Sequence, residues 1–114
     1  GGLLYFIDCL GCPPEAYEHD MKLWWPHNEA IIAMLYAYRL SGDRKFWNYF
    51  KMVDEWTWNH FPDKEYGEWF GYFHYDGTLS QPAKGNMYKG PFHIPRMLLK
   101  CHLLCKEIQG YDKQ

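Results

Sequence analysis

Two apolar runs at helical spacing, separated by only a short break, leave this chain few ways to fold. Ala30, Ile31, Met34, Leu35 and Tyr38 recur every three or four residues, the period of a helix with one buried face. Pro26 precedes them, where a first helical turn has no use for the missing N–H. Ser41-Gly42 ends the run and Asp43 is suited to cap the next helix. Phe46, Tyr49, Phe50, Val53 and Trp56 then form a second apolar face, which Phe61-Pro62 closes. Helices joined so tightly must turn back on each other. A third helix is predicted from Pro91–Pro95 to about Gln109, with Leu98, Cys101, His102, Cys105 and Ile108 on one face and Gly110 as its stop.

The stretch between the second and third helices changes character. Trp69, Tyr72, Phe73 and Tyr75 favour extended backbone, and Asp76-Gly77 is a strong hairpin signal between Tyr75 and Thr78. Residues 3–7 read as a short strand, followed by a loop carrying Asp8, Gly11, Pro13 and Pro14. The expectation is a mainly α architecture of helical hairpins stacked side by side, with one β-hairpin excursion. The chain starts at Gly1, directly inside an apolar run, as a piece of a longer protein would.

Aromatic residues make up 20% of the 114 positions. Three helices cannot bury so many rings by themselves. The surplus points to a neighbouring layer of structure or to a ligand cleft. Sugars suit such a cleft, because their C–H faces stack on indoles while their hydroxyls meet charged groups. The net charge of −2 gives no electrostatic footprint for nucleic acid or anionic membrane. No apolar run approaches the roughly 18 residues of a spanning helix. Cys9 and Cys12 have C-x-x-C spacing and Cys101 and Cys105 lie one turn apart, but neither pair has knuckle-like turn chemistry, so free thiols and no metal are expected.

Three segments carry chemistry. Lys22-Leu23-Trp24-Trp25-Pro26-His27-Asn28-Glu29-Ala30 gathers two indoles, an imidazole and a carboxylate at a helix start, where negative charge is stabilised. The plain alternative is core indoles with a first-turn acid. Lys89-Gly90-Pro91-Phe92-His93-Ile94-Pro95-Arg96 puts a histidine between two prolines at another helix start. That location favours the neutral imidazole, which can accept a proton. A histidine hydrogen-bonded within the core is the competing reading. In Glu65-Tyr66-Gly67-Glu68-Trp69-Phe70-Gly71, glycines flank an acid and an indole, as where backbone approaches a ligand closely and Trp69 offers a sugar platform. The competing reading is a twisted strand entering the hairpin. His19, His60, His74 and His102 have no comparable context.

Taken in series, these segments resemble the N-acylglucosamine 2-epimerase family, also known as renin-binding proteins. The likeness runs through Met21 to Ala30, Glu65 to Tyr72 and Lys89 to Arg96, in the same order and at matching separations, and covers nearly the whole chain. It implies an (α/α)6 barrel with the sugar in its central cleft, residues 1–114 forming a C-terminal segment of that single domain, incomplete on its N-terminal side. The implied reaction interconverts N-acetylglucosamine and N-acetylmannosamine at C2: a base removes the proton beside the open-chain aldehyde, and the enediolate is reprotonated on its other face. The resemblance makes His93 one acid/base group and Glu29 the carboxylate that positions or polarises the sugar. It makes Trp25 and Trp69 cleft-lining, Lys84 and Arg96 further substrate contacts, and His27 a supporting residue beside the site.

A second catalytic histidine belongs to a Gly-His-x-Ile-Glu type motif with no counterpart in this chain, so the chain alone is expected to be inactive. Gln81 to Tyr88 and Pro91 depart from the family's usual Lys-Gly-Gly-Pro-Phe run. The family likeness further implies no consumed cofactor, ATP or another nucleotide as an allosteric effector, an amino-sugar substrate, a homodimer, renin as a binding partner in animal members, and a cytoplasmic location. The competing functions are another (α/α)6 sugar isomerase, such as a cellobiose 2-epimerase or an aldose–ketose isomerase, and renin-type protein binding.

Overall fold

A computed structural model describes residues 1–111. Helix α1 spans Trp24–Ser41 and helix α2 spans Arg44–His60. They are joined by Gly42, whose φ of 68° is the left-handed conformation that ends a helix, its N–H donating to the Tyr38 carbonyl at 2.8 Å. Asp43 caps α2 as the sequence predicts, its Oδ1 accepting from the Lys45 N–H at 2.9 Å. Helix α3 spans His93–Tyr111. No helix among the described residues is long and apolar enough to cross a membrane.

Strands β1 (Lys22–Leu23), β2 (Tyr72–Phe73) and β3 (Leu79–Gln81) form a small antiparallel sheet in that order. The predicted hairpin turn joins β2 to β3. Gly77 adopts a φ of 89°, and Asp76 Oδ1 accepts from the N–H and hydroxyl of Thr78 at 2.9 and 2.7 Å. Such a turn needs one residue free of a Cβ penalty and one short acceptor, and Asp-Gly supplies both. The Trp24 N–H, the first of α1, donates to the Gly71 carbonyl at 3.1 Å, so the sheet edge and the start of α1 are one unit.

Helix α1 is the hub. It packs against α2 on one side and α3 on the other, burying Ile31, Ile32 and Leu35. Ion contacts pair Glu29 with His93 and Arg96 near the starts of α1 and α3, and Arg39 with Glu107 near their ends. The two helices are therefore parallel, with both N-termini at the same end of the molecule. Under them lies an aromatic stack: Trp69 parallel to Phe61 at 6.0 Å, and Phe73 edge-on to Phe61 at 5.3 Å. These three rings are buried, while others such as Tyr17, Tyr66 and Tyr88 stay exposed.

Three expectations are corrected. Residues 3–7 form no strand; Tyr5 and Phe6 N–H groups donate to the Met21 and His19 carbonyls, but the facing segment turns at 17–20, so no ladder can extend. Met97 and Leu104 are the buried residues of α3, with Ile94 and Cys101 packed against the core; of the predicted face, Cys101, Cys105 and Ile108 are half-buried, whereas Leu98 and His102 are exposed. The buried face is rotated because His93 and Arg96 must meet Glu29 on α1. Gly110 does not stop α3, which continues to Tyr111; its φ is not positive, and a helical glycine costs only about 1 kcal/mol.

His27 fastens residues 1–7 to this core. It is fully buried, stacked on Trp56 at 4.8 Å. Its Nδ1–H donates to the Leu23 carbonyl at 2.6 Å, and its Nε2 accepts the Leu3 N–H at 2.9 Å. Both bonds together require the neutral ring with the proton on Nδ1. Burial pushes its pKa down to about 4; the Leu23 bond opposes this, while Lys22 and His60 add to it. Lowering the pH from 6.5 toward 4 lets the unfolded chain bind a proton that the folded chain refuses, so stability falls with falling pH. The expected slope in that window approaches about 1.4 kcal/mol per pH unit from this residue. Urea unfolding at several pH values should show it in the native chain and lose that component in His27→Gln.

Candidate active site

Glu29 sits in the second turn of α1, and His93 and Arg96 occupy the first turn of α3. The parallel packing of those helices brings together residues 64 positions apart: His93 Nδ1 lies 2.9 Å from Glu29 Oε1. The other carboxylate oxygen, Oε2, accepts a hydrogen bond from Arg96 Nη1. Partial burial raises the Glu29 pKa, but the hydrogen bonds from His93 and Arg96, with the charge of Arg96, outweigh it and hold the carboxyl below its usual range. An ionised carboxylate only accepts, so the His93 proton must be on Nδ1. In the neutral ring, Nε2 is then the nitrogen with a free lone pair. A carboxylate behind an imidazole fixes its tautomer and ring orientation, as general-base catalysis requires.

Beside this pair is a cleft of about 350 Å³, walled by Tyr5, Trp24, Trp25, Tyr72, Tyr88 and His93, together with Glu18 and Leu23. The Trp25 ring lies 5.7 Å from the His93 ring and is tilted 34° to it, and Trp24 presents its edge at 6.4 Å. The His93 and Glu29 side chains keep about a third of their surface open, 27% and 32%, so the pair is reachable. Both helices begin at this end, and the positive ends of their dipoles favour negative charge there. A larger cavity of about 630 Å³ lies elsewhere, between α1, α2 and Gly1–Leu3. Its walls are mostly apolar, including Met34, Met52 and Val53, and it holds no such relay.

Of the residues singled out from sequence, Glu29, His93, Arg96 and Trp25 come together. The others do not. Trp69 is 6% exposed, sandwiched between Phe61 and the edge of Trp58, so it is a core residue and not a cleft wall. Lys84 Nζ bonds to Asp63 Oδ2 at 2.5 Å and the Gly67 carbonyl at 2.7 Å; it closes the 63–67 turn and does not face the cleft. His27 lies on another face of α1, with Leu3, Leu23, Trp56 and Phe61 as neighbours in place of Glu29 or His93.

Sequence reasoning missed the wall residues Tyr5, Tyr72 and Tyr88, and the buried Lys89. The Lys89 ammonium bonds to Glu68 Oε2 and the Lys84 carbonyl, both at 2.7 Å, and lies 5.9 Å from the Trp24 ring. Gly71 makes room for this: a Cβ there would lie 2.7 Å from Lys89 Cδ and 3.2 Å from Trp24 Cε3. The glycine that ends the Glu65–Gly71 segment was the available signal. It marks a close approach of side chains, where a ligand had been expected.

The tautomer assignment is testable directly. Long-range ¹H–¹⁵N spectra above neutral pH should show His93 protonated on Nδ1 and bare on Nε2. Glu29→Gln, which offers both an acceptor and a donor, should give a mixture of the two tautomers; an unchanged spectrum would refute the relay.

Known proteins share the sequence pattern and the fold of this chain. The N-acylglucosamine 2-epimerase (GlcNAc 2-epimerase) family matches residues 1–92. The rat N-acylglucosamine 2-epimerase is 48% identical over 110 residues, which are 96% of this chain and 25% of that protein. This chain thus spans about a quarter of the length of the curated relatives it matches. The solved structure of a cellobiose 2-epimerase from Spirochaeta thermophila superposes with a TM-score of 0.73 and 27% identity over 81% of this chain and 23% of that one. A D-mannose isomerase superposes at 0.76 over 94% and 26% with 21% identity, a likeness of fold alone. The three helices and small sheet are part of an (α/α)6 barrel, and the chain belongs to the N-acylglucosamine 2-epimerase family of sugar epimerases.

Proposed function

We propose that this chain supplies one half of an active site that interconverts N-acetylglucosamine and N-acetylmannosamine at C2. The observation that carries the reading is the Glu29–His93 contact of 2.9 Å at the edge of an indole-walled cleft. In the open-chain sugar, the C2–H bond stands beside the C1 aldehyde and is acidified by it. His93 Nε2 takes the C2 proton, and the bond's electron pair moves into an enolate spanning C1 and C2. Glu29 holds the imidazole in place and stabilises the imidazolium that forms. Arg96 keeps Glu29 ionised throughout. The two helix N-termini favour the negative charge that develops on the sugar oxygen.

Epimerisation requires the proton to return on the opposite face, from a second acid that residues outside this chain would provide. In the reverse direction His93 donates and that second group accepts. Trp25, beside the imidazole, is suited to stack on the C–H face of the sugar. The same proton transfer serves a cellobiose epimerase or an aldose–ketose isomerase. Identity to the rat relative over nearly the whole chain favours the N-acetylated substrate.

The experiment is a chimera in which this chain replaces the matching quarter of the rat relative. It should form N-acetylmannosamine from N-acetylglucosamine, and the chain alone should not. Within it, His93→Ala should lower kcat by about 10² to 10⁴, the usual worth of a positioned acid/base group. Turnover that survives His93→Ala would exclude the mechanism, and a preference for cellobiose or free mannose would exclude the substrate.

A further inference from the structure

We infer that Tyr5 is a substrate-contacting residue of the cleft, and that His27 is the positioning residue that sets it there. This rests on the epimerase reading only for the identity of the ligand as an amino sugar. The geometry stands without it.

Tyr5 belongs to an irregular segment with no regular element to hold it. Its ring meets Trp25 edge-on at 5.7 Å and 84°, and Trp25 in turn lies 5.7 Å from His93. Tyr5 and His93 thus sit against the same indole, and both wall the 350 Å³ cleft. A sugar lying on Trp25 with C2 at the imidazole would present its far carbons and their hydroxyls to the tyrosine. A contact made equally in the ground and transition states is uniform binding, and the loss of such a contact falls on KM more than on kcat.

What fixes Tyr5 is the pinning of its segment on both sides: the Phe6 N–H donates to the His19 carbonyl at 2.9 Å, and two further bonds hold Tyr5 and Leu3. The Tyr5 N–H donates to the Met21 carbonyl at 3.0 Å. Two residues earlier, the Leu3 N–H is captured by His27 Nε2 at 2.9 Å. That imidazole cannot shift to follow a loose segment, because its Nδ1–H is held by the Leu23 carbonyl and its face by Trp56. Leu23 is itself a wall of the cleft and the residue preceding α1. His27 therefore references Tyr5 to the same short stretch that carries Trp24 and Trp25.

Two substitutions separate positioning from simple filling of space. The amide of Gln reaches as far as Nε2 and can still accept from Leu3, whereas the shorter amide of Asn reaches only the Nδ1 position and serves Leu23 alone. The ¹⁵N-tryptophan-labelled full chain is titrated with N-acetylglucosamine while the Trp25 indole N–H is followed. Tyr5→Ala should weaken binding by about two- to tenfold, the worth of one aromatic contact, and Tyr5→Phe by less. His27→Asn should reproduce the loss and His27→Gln should restore most of it. In the chimera, Tyr5→Ala should raise KM by the same factor with the smaller effect on kcat.

No sugar-dependent shift at Trp25, unaltered binding in Tyr5→Ala, or equal losses in His27→Asn and His27→Gln would each overturn the inference. The Tyr5 variants decide it even where a His27 variant does not fold. A chimera that turns over normally while Tyr5→Ala changes nothing sinks this inference alone. Sugar binding at Trp25 with no turnover in the chimera sinks the epimerase reading and leaves this one standing.

Discussion

The Glu29 carboxylate is shared between His93 and Arg96, and the arrangement of the site depends on it. One oxygen meets the imidazole and the other the guanidinium, so a single side chain on α1 sets the position of two on α3. The contact works because α1 and α3 run parallel, with the Arg39–Glu107 pair at their far ends holding the alignment. Exposed ion pairs contribute little to stability, commonly under about 1 kcal/mol. The helices are held instead by Ile32, Met97 and their neighbours in the core. The ionic contacts choose the register in which that apolar surface is buried, and the register is what places Nε2 at the cleft.

Much of this was readable from the residues. Pro26, Gly42 and Asp43 mark helix boundaries through backbone constraints that act locally, and the structure follows them within a residue or two. Asp76-Gly77 did the same for the hairpin. The rotation of α3 was not readable, because Leu98 and Met97 are equally apolar and only the partner helix decides which is buried. Residues 3–7 look like a strand by composition, yet a strand exists only if its neighbour offers a ladder, and the turn at 17–20 withholds one.

Within the site the division is similar. His93, Glu29, Trp25 and Arg96 lie in helix starts whose sequence is distinctive, so they could be named in advance. Trp69 could not be told from a cleft indole, since a ring stacked on Phe61 and a ring awaiting a sugar have the same sequence signature. Tyr5 and Tyr88 lie in irregular stretches, and only the fold brings them to Trp25. His27 was singled out for its neighbours in sequence. Helical geometry turns it away from Glu29, two residues on, and its actual work is with the segment at Leu3.

The loop before α3 bears on how His93 reaches Glu29. Its residues from Pro82 to Tyr88 are almost all exposed, while Lys89 is 4% exposed, its ammonium plugged between Glu68 and the Lys84 carbonyl. The loop is thus tied down where it ends, and Asn86 helps to tie it, its Oδ1 accepting from the Lys89 N–H at 2.8 Å. His93, four residues past the buried Lys89, is thereby moored to the same turn as Glu68 before it meets Glu29.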